Sequence, residues 1–205
     1  MVIRTLLILG GVVLILIGVF GCRNYPPLAL VPQVDMQRMM GTWYVTHHIP
    51  YWLEEGKVAT KDVYAWRGDG KIDVRYEFRR ETMDAPEEAW EGVAWVHDTA
   101  TNNHWKVRFM WPFTADYLVM DMDPDYAWVV VGSRSRDYFW ILSRTPALSP
   151  EVVDGIMDRA VAKGYDRSRF AEVPQPSDAP SMLHQSAPVQ GIGLPGSTAA
   201  GFNAR

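Results

Sequence analysis

The chain has 205 residues, 48% of them hydrophobic and 12% aromatic, the balance of a folded protein with room for one domain of ordinary size. With 20 basic residues against 24 acidic ones, the net charge of −4 excludes a strongly basic nucleic-acid-binding surface, so no nucleic-acid partner is expected. A single cysteine, Cys22, excludes an internal disulfide framework and a multi-cysteine metal site.

The amino terminus has the order of an export signal: Arg4, then an almost unbroken apolar run from Thr5 to Phe20, then a small residue. The run ends in Val19-Phe20-Gly21-Cys22, which resembles a bacterial lipobox. On that reading residues 1–21 are removed and acyl chains, palmitate among them, are attached at Cys22, where two chains hold a protein on a membrane far better than one. Arg23 stands where an inner-membrane lipoprotein of this type has aspartate, so the outer membrane, periplasmic face, is expected. An uncleaved anchor is the alternative, although the run is at the short limit of the ~20 residues that a span requires.

Pro26, Pro27 and Pro32 make residues 22–34 an extended tether. From Pro174 onward prolines, glycines, serines and alanines show no hydrophobic period, and 177–205 is expected to be a disordered tail. The folded domain is then 35–176.

Within it the pattern is alternation, the period of half-buried strands. Ile72, Val74, Tyr76 and Phe78 alternate with Asp73, Arg75 and Glu77, and Trp105, Val107, Phe109 and Trp111 with Lys106, Arg108 and Met110. Leu118, Met120 and Met122 stand against Asp121 and Asp123. Turn signals such as Gly68-Asp69-Gly70 and Pro124-Asp125 separate the runs. Strands are predicted over 42–49, 58–67, 71–81, 90–98, 104–111, 116–122, 126–133 and 138–144, an all-β antiparallel meander able to bury its edges by closing into a barrel. Ser149 as N-cap, Pro150, and the spacing of Val152, Val153, Ile156, Met157, Ala160 and Val161 predict one helix that stops at Gly164 and docks outside. A short last strand is expected within 170–173.

Gly41-Thr42-Trp43 at the first strand, Asp125-Tyr126 before the seventh and Arg144 after the eighth resemble, in order, the three lipocalin signatures. The stretch from Asp137 to Pro146, Trp111-Pro112-Phe113 and the helix start at Leu148-Ser149-Pro150-Glu151 are similar to the bacterial outer-membrane lipoprotein group of that family (the Blc type), close to apolipoprotein D. The resemblance implies an eight-stranded up-and-down barrel holding one small apolar ligand. It also implies that Trp43 plugs the closed end and that Arg144 packs across its indole, a cation–π pair worth about 0.5–2 kcal/mol. Gly41, Trp43, Asp125, Tyr126 and Arg144 are therefore structural residues.

Alternation places Tyr64, Trp66, Ile72, Val74, Tyr76, Phe78, Trp105, Val107, Phe109, Leu118 and Met120 on the inner face, as core or as ligand contacts. All nine tryptophans lie between Trp43 and Trp140, and wide aromatic walls suit an acyl chain. His47, Arg75 and Tyr76 are candidates to meet a polar head at the mouth. Asp121-x-Asp123-x-Asp125 resembles a calcium loop but has Tyr126 where glycine is needed and Gly132 where glutamate is needed. His47 and His48 are adjacent on a strand and point to opposite faces, so they do not form a metal pair. The basic loop Ser133-Arg134-Ser135-Arg136 is expected to be solvated. No nucleophile–base motif is visible, so a binding protein without cofactor or metal is expected, its ligand a fatty acid or lysophospholipid stored or moved in the bacterial envelope. A lipocalin-fold enzyme acting on a bound lipid, and a filled barrel serving as a surface interaction module, are the alternatives. A monomer and a homodimer both stay open.

Overall fold

The structure, a computed structural model, describes residues 25–176. The segment 1–21 expected to be an export signal, Cys22, and 177–205, expected to be a tail, lie outside the described residues. The alternating runs form strands in every predicted place: β1 (Gly41–His48), β2 (Lys57–Trp66), β3 (Ile72–Arg80), β4 (Glu88–Val96), β5 (His104–Met110), β6 (Phe113–Met122), β7 (Trp128–Gly132) and β8 (Phe139–Ser143). Each pairs antiparallel with its neighbour, and β1 pairs with both β2 and β8, closing the barrel. Gly41 to Tyr44 pair with β2; beyond Tyr44 the two strands diverge. A ninth strand, β9 (Ala171–Glu172), takes the edge of β1 that is left. Gln175 continues the filling, its side-chain amide donating to the carbonyls of Val45 (2.8 Å) and Thr60 (2.9 Å). The seam is thus satisfied by backbone and amide groups that an open edge would leave unpaired.

The helix α2 (Pro150–Ala162) has Ser149 as its N-cap, accepting from the Val152 amide, and the chain leaves it through Gly164 at φ +97°, a left-handed conformation natural to glycine. Val153, Ile156 and Ala160 are its buried residues, and Ile156 and Ala160 pack on the outside of the barrel in a cluster with Met120, Val130, Phe139, Ile141 and Tyr165. Residues 25–34 hold neither helix nor strand and are not a free tether. The Val31 amide donates to the Val119 carbonyl (3.0 Å), Leu28 and Leu30 pack against the cluster under α2, and Val34 is buried. Their apolar side chains find a groove beside α2, which composition alone does not reveal.

The end of the barrel that holds Gly41 is closed by a short helix, α1 (Met36–Met39), unforeseen because four residues are too few to show a period. Asp35 caps it, accepting from the Gln37 and Arg38 amides. Met39 and Trp43 are fully buried, and the Trp43 indole donates to the Met39 carbonyl at 2.8 Å. The Arg144 guanidinium lies 3.5 Å from the centre of the Trp43 ring and donates to the carbonyls of Thr42 (2.7 Å), Met40 (2.9 Å) and Arg38. Gly41, at φ +94°, lets the chain turn from α1 into β1 beneath that guanidinium, and a Cβ there would stand 3.5 Å from an Arg144 nitrogen. Tyr126, in the turn after β6, accepts from the Asp35 amide (2.7 Å) and lies under Arg38 at 4.2 Å. The exposed Asp125 belongs to that same turn, where its amide donates to the Asp123 carboxylate at 2.9 Å. Asp121 pairs with Arg159 of α2, so the acidic triplet is a strand end running into a turn.

Two readings of the chain need correction. Leu118 and Met120 do not face inward. Tyr117 and Val119 pack with the interior, so alternation sends Leu118 outward and Met120 into the cluster under α2, and a bulge between Val119 and Asp121 then returns Met122 to the interior. Arg136 is not solvated: it is buried and donates to the carbonyls of Lys163 (3.0 Å), Arg134 (2.7 Å) and Pro26 (2.8 Å), knotting the β7–β8 turn to the amino-terminal segment.

Trp43→Ala removes the plug and should cost about 3–5 kcal/mol. Arg144→Ala leaves three carbonyls short of a charged donor and should cost about 2 kcal/mol or more. Thermal melting checks both, and unchanged melting would contradict the role assigned to the closed end.

Candidate ligand-binding cavity

Inside the other end lies a cavity of about 190 Å³. Its inner end is formed by Tyr64 and Tyr117, whose rings pack on the fully buried Trp105: Tyr117 stacks on it at 4.8 Å and Tyr64 meets it edge-on at 5.8 Å. Val74, Tyr76, Trp90, Val107, Phe109 and Ala115 make the walls. Gly92 on β4 leaves room for the Phe109 ring, because a Cβ there would come within 2.8 Å of it. The loop between β1 and β2 folds over the mouth and contributes Tyr51, Leu53 and Glu54. Glu54 holds it in place, accepting from the Trp140 indole (3.0 Å) and sitting 2.7 Å from His48 Nδ1.

Of the residues placed on the inner face from the sequence, Tyr64, Val74, Tyr76, Val107 and Phe109 line this cavity. Trp105 lies beneath its inner end, and Phe78 is buried beside it, edge-on to Trp90 at 5.2 Å. Trp66 ends β2 and is 45% exposed. Leu118 and Met120 are on the opposite face of β6 for the reason given above. Of the candidates for the mouth, only Tyr76 lines the cavity. Arg75 is exposed and paired with Glu77 and Glu91, while His47 faces an outer crevice beside Leu148 and Gln175.

Reasoning from the sequence missed Trp90, Tyr117, Trp140, Glu54 and Asp62. Tyr117 was recoverable, since Asp116 and Lys106 mark the solvent side of the β5–β6 pair and so turn Tyr117 inward. Asp62 was recoverable too, being two residues before Tyr64 on the same face of β2, but a carboxylate is not expected inside a barrel.

Besides Glu54 and Asp116, two further charged groups sit in or beside the cavity. The Lys57 ammonium lies 3.1 Å from the centre of the Trp90 ring and 4.1 Å from that of Phe78, and it has no hydrogen-bond partner among the described residues. Burial pushes its pKa down to about 8, opposed by the Glu54 charge. The Asp62 carboxylate points into the barrel and accepts from the Tyr64 hydroxyl at 3.0 Å. Burial pushes it up to about 7, against the lowering effect of that hydrogen bond. Burial likewise raises the Tyr64, Tyr76 and Tyr117 hydroxyls above their ordinary range, so they act as neutral hydrogen-bonding groups.

A family model describing a lipocalin-like domain matches residues 34–175. The chain is 33% identical over 161 residues to the outer membrane lipoprotein Blc of Escherichia coli K12, covering 77% of this chain and 90% of that protein. It is 33% identical over 163 residues to temperature-induced lipocalin-1 of Arabidopsis thaliana, covering 75% of this chain and 85% of that one. Bovine apolipoprotein D is 28% identical over 141 residues, 65% of this chain and 72% of the relative. Among solved structures, insecticyanin from the tobacco hornworm Manduca sexta superposes with a TM-score of 0.60 at 19% identity, over 75% of this chain and 87% of that one, a likeness of fold.

The Asp62 shift has a definite sign. Its folded pKa, about 7, exceeds the ordinary 3.8, so the folded state holds its proton longer than the unfolded state. The contribution to stability is intact below the unfolded value and is lost as pH rises through the folded one. Asp62→Asn should therefore stabilise the protein by about 2–4 kcal/mol at about pH 8.5 and by little at about pH 3.5. Melting curves at both pH values check this; an equal change at both would contradict it.

Proposed function

The chain belongs to the lipocalin-like family, and we propose that it binds a small apolar ligand in its barrel and stores or carries it in the bacterial envelope. Single-chain lipids, the class that includes fatty acids and lysophospholipids, fit the site best. The observation that carries this reading is a cup closed by Trp43 at one end and walled by Tyr76, Trp90, Val107 and Phe109 at the other. Binding is by burial: each methylene moved from water into such walls contributes about 0.8 kcal/mol, offset by the cost of association. Nothing in the reading requires catalysis.

The rim supports a membrane setting. Trp52, Met110, Trp111 and Phe113 are 77%, 65%, 80% and 70% exposed, Trp52 in the β1–β2 loop and the other three at the tip of the β5–β6 hairpin, all at the open end. Clustered exposed apolar side chains mark a docking surface, and aromatic rings suit a bilayer interface. Tyr25, which closely follows Cys22 in sequence, lies beside Arg136 in the β7–β8 turn at the same end, with 5.0 Å from the guanidinium to the ring centre. A lipid at Cys22 and the rim would then face one bilayer, and a ligand would pass between membrane and cup without crossing water. The relatives named outer membrane lipoproteins support the outer membrane, and the periplasmic face follows from the lipobox reading of Val19 to Cys22.

Native mass spectrometry of the chain from Asn24 onward, purified without detergent, should show a bound mass in the lipid range that is lost on organic extraction. An empty spectrum, with no tryptophan quenching on titration with lysophospholipid, would overturn the carrier reading. Cys22→Ser should release the protein from membranes into the soluble fraction. In that background Trp111→Ser with Phe113→Ser should weaken residual binding to phospholipid vesicles about tenfold or more, since a buried aromatic side chain contributes about 1.5–3 kcal/mol.

A further inference from the structure

The charged groups lining the cavity have one sign. Glu54, Asp62 and Asp116 line it, and among the described residues no lysine, arginine or histidine does. Glu54 is hydrogen-bonded at the mouth to His48 Nδ1 at 2.7 Å, and Asp116 at the outer surface is bonded to His104 and ion-paired with Lys106, each at 2.6 Å. Asp62 differs. It lies two residues from Tyr64, on β2 opposite Trp43 of β1 and Tyr76 of β3, and among the described residues only the Tyr64 hydroxyl donates to it.

The groups that face Asp62 from the surrounding elements are Tyr64 on its own strand, Tyr76 on β3, Glu54 and Tyr51 in the mouth loop, and Tyr117 on β6, whose hydroxyl is 3.2 Å from that of Tyr64. None is a cation. The nearby cations are committed elsewhere, Lys57 to the Trp90 and Phe78 rings and Arg144 to the far side of Trp43. A carboxylate at the inner end of an aromatic cup, with one hydrogen bond and no counter-charge, is an acceptor with unused capacity.

We propose that Asp62 receives the polar end of a ligand that carries a hydrogen-bond donor there, a hydroxyl or a protonated amine on an apolar body, and that it excludes a carboxylate from the same place. This rests on the carrier reading and names the ligand chemistry of that cavity. A donor at the inner end uses the free lone pairs of Asp62 and leaves the hydrocarbon along Val74, Val107 and Phe109 toward the apolar rim. A carboxylate there would meet a like charge in a medium of low dielectric, so a fatty acid enters tail first and keeps its head outside. With Asp62 raised to about 7, the preference for an amine is present above that pH and fades below it.

The test uses the chain from Asn24 onward, which contains every described element. Laurylamine, lauryl alcohol and lauric acid are titrated below their micelle concentrations and followed by calorimetry and by tryptophan fluorescence, Trp90 and Trp140 being in the lining. At about pH 8.5 the amine should bind about tenfold or more tightly than the acid, the size of a charge-assisted hydrogen bond, with the alcohol between them. The gap should narrow at about pH 5.5, where Asp62 is protonated. Asp62→Asn should bring amine and acid within about threefold of each other at the higher pH. Equal affinities for acid and amine in the unaltered chain, or an unchanged ratio in Asp62→Asn, would overturn the proposal and leave the carrier reading standing. Failure of all three probes to bind would overturn both. If Asp62→Asn does not fold, the pH dependence of the unaltered chain decides the matter alone.

Discussion

The guanidinium of Arg144 is where the two ends of the barrel's circuit meet. It follows the last barrel strand, lies across the indole that begins the first, and donates to three carbonyls of the segment that joins α1 to β1. The Arg38 and Met40 carbonyls lie at a helix end without helical partners, and a charged donor keeps them from being left unsatisfied, while the Thr42 carbonyl ties the same guanidinium to the start of β1. The contact holds β1 against β8 and turns the indole inward as a plug. A barrel without that plug would be a tube open at both ends, and the cavity would lose the dry inner end that makes burial of a ligand favourable.

From that end the molecule is organised by what each strand face meets. Facing inward, residues meet other aromatic rings, and the large side chains of Trp105, Tyr117, Tyr64 and Trp90 stack or meet edge-on until they leave one gap. Facing outward on β6, β7 and β8, residues meet α2 and the segment 25–34, so both faces of these strands are apolar. On β3, by contrast, the outer face is Asp73, Arg75 and Glu77, in water and in ion pairs. Bulges in β1, β2, β5 and β6 let short strands bend around so small a circumference, and each one moves a side chain across the sheet.

The cup and its rim differ in polarity in a way that matters for transfer. The rim shows tryptophan and phenylalanine to the outside, while the inner end holds a carboxylate among tyrosine hydroxyls. A single-chain lipid placed between them has hydrocarbon where the rim is apolar and a polar atom where the cup is polar. Lys57, set among Tyr76, Phe78 and Trp90, adds a positive charge to the wall without opening to the cavity. It partly balances the acidic lining while its own proton is held less tightly than in water.

The sequence by itself determined the strand order, the docked helix and the closed end. These rest on local features: period-two alternation, Ser149 and Gly164 at the helix ends, and three short motifs at Gly41–Trp43, Asp125–Tyr126 and Arg144. A third of the cavity lining was legible for the same reason, because Val74, Tyr76, Val107 and Phe109 lie on strands whose outer faces are charged and whose parity is unambiguous. Only the tertiary structure decided the rest. Leu118, Met120 and Met122 look like one face, but a bulge between Val119 and Asp121, which a one-dimensional pattern does not show when both faces are apolar, puts Met122 inside while Met120 packs outside under α2. The placement of Arg136 and of residues 25–34 depends on a groove that exists only after α2 has docked. Asp62 follows the parity of Tyr64, yet whether a carboxylate can stay inside is a question of what surrounds it, and that is set by four other elements brought together by closure of the barrel.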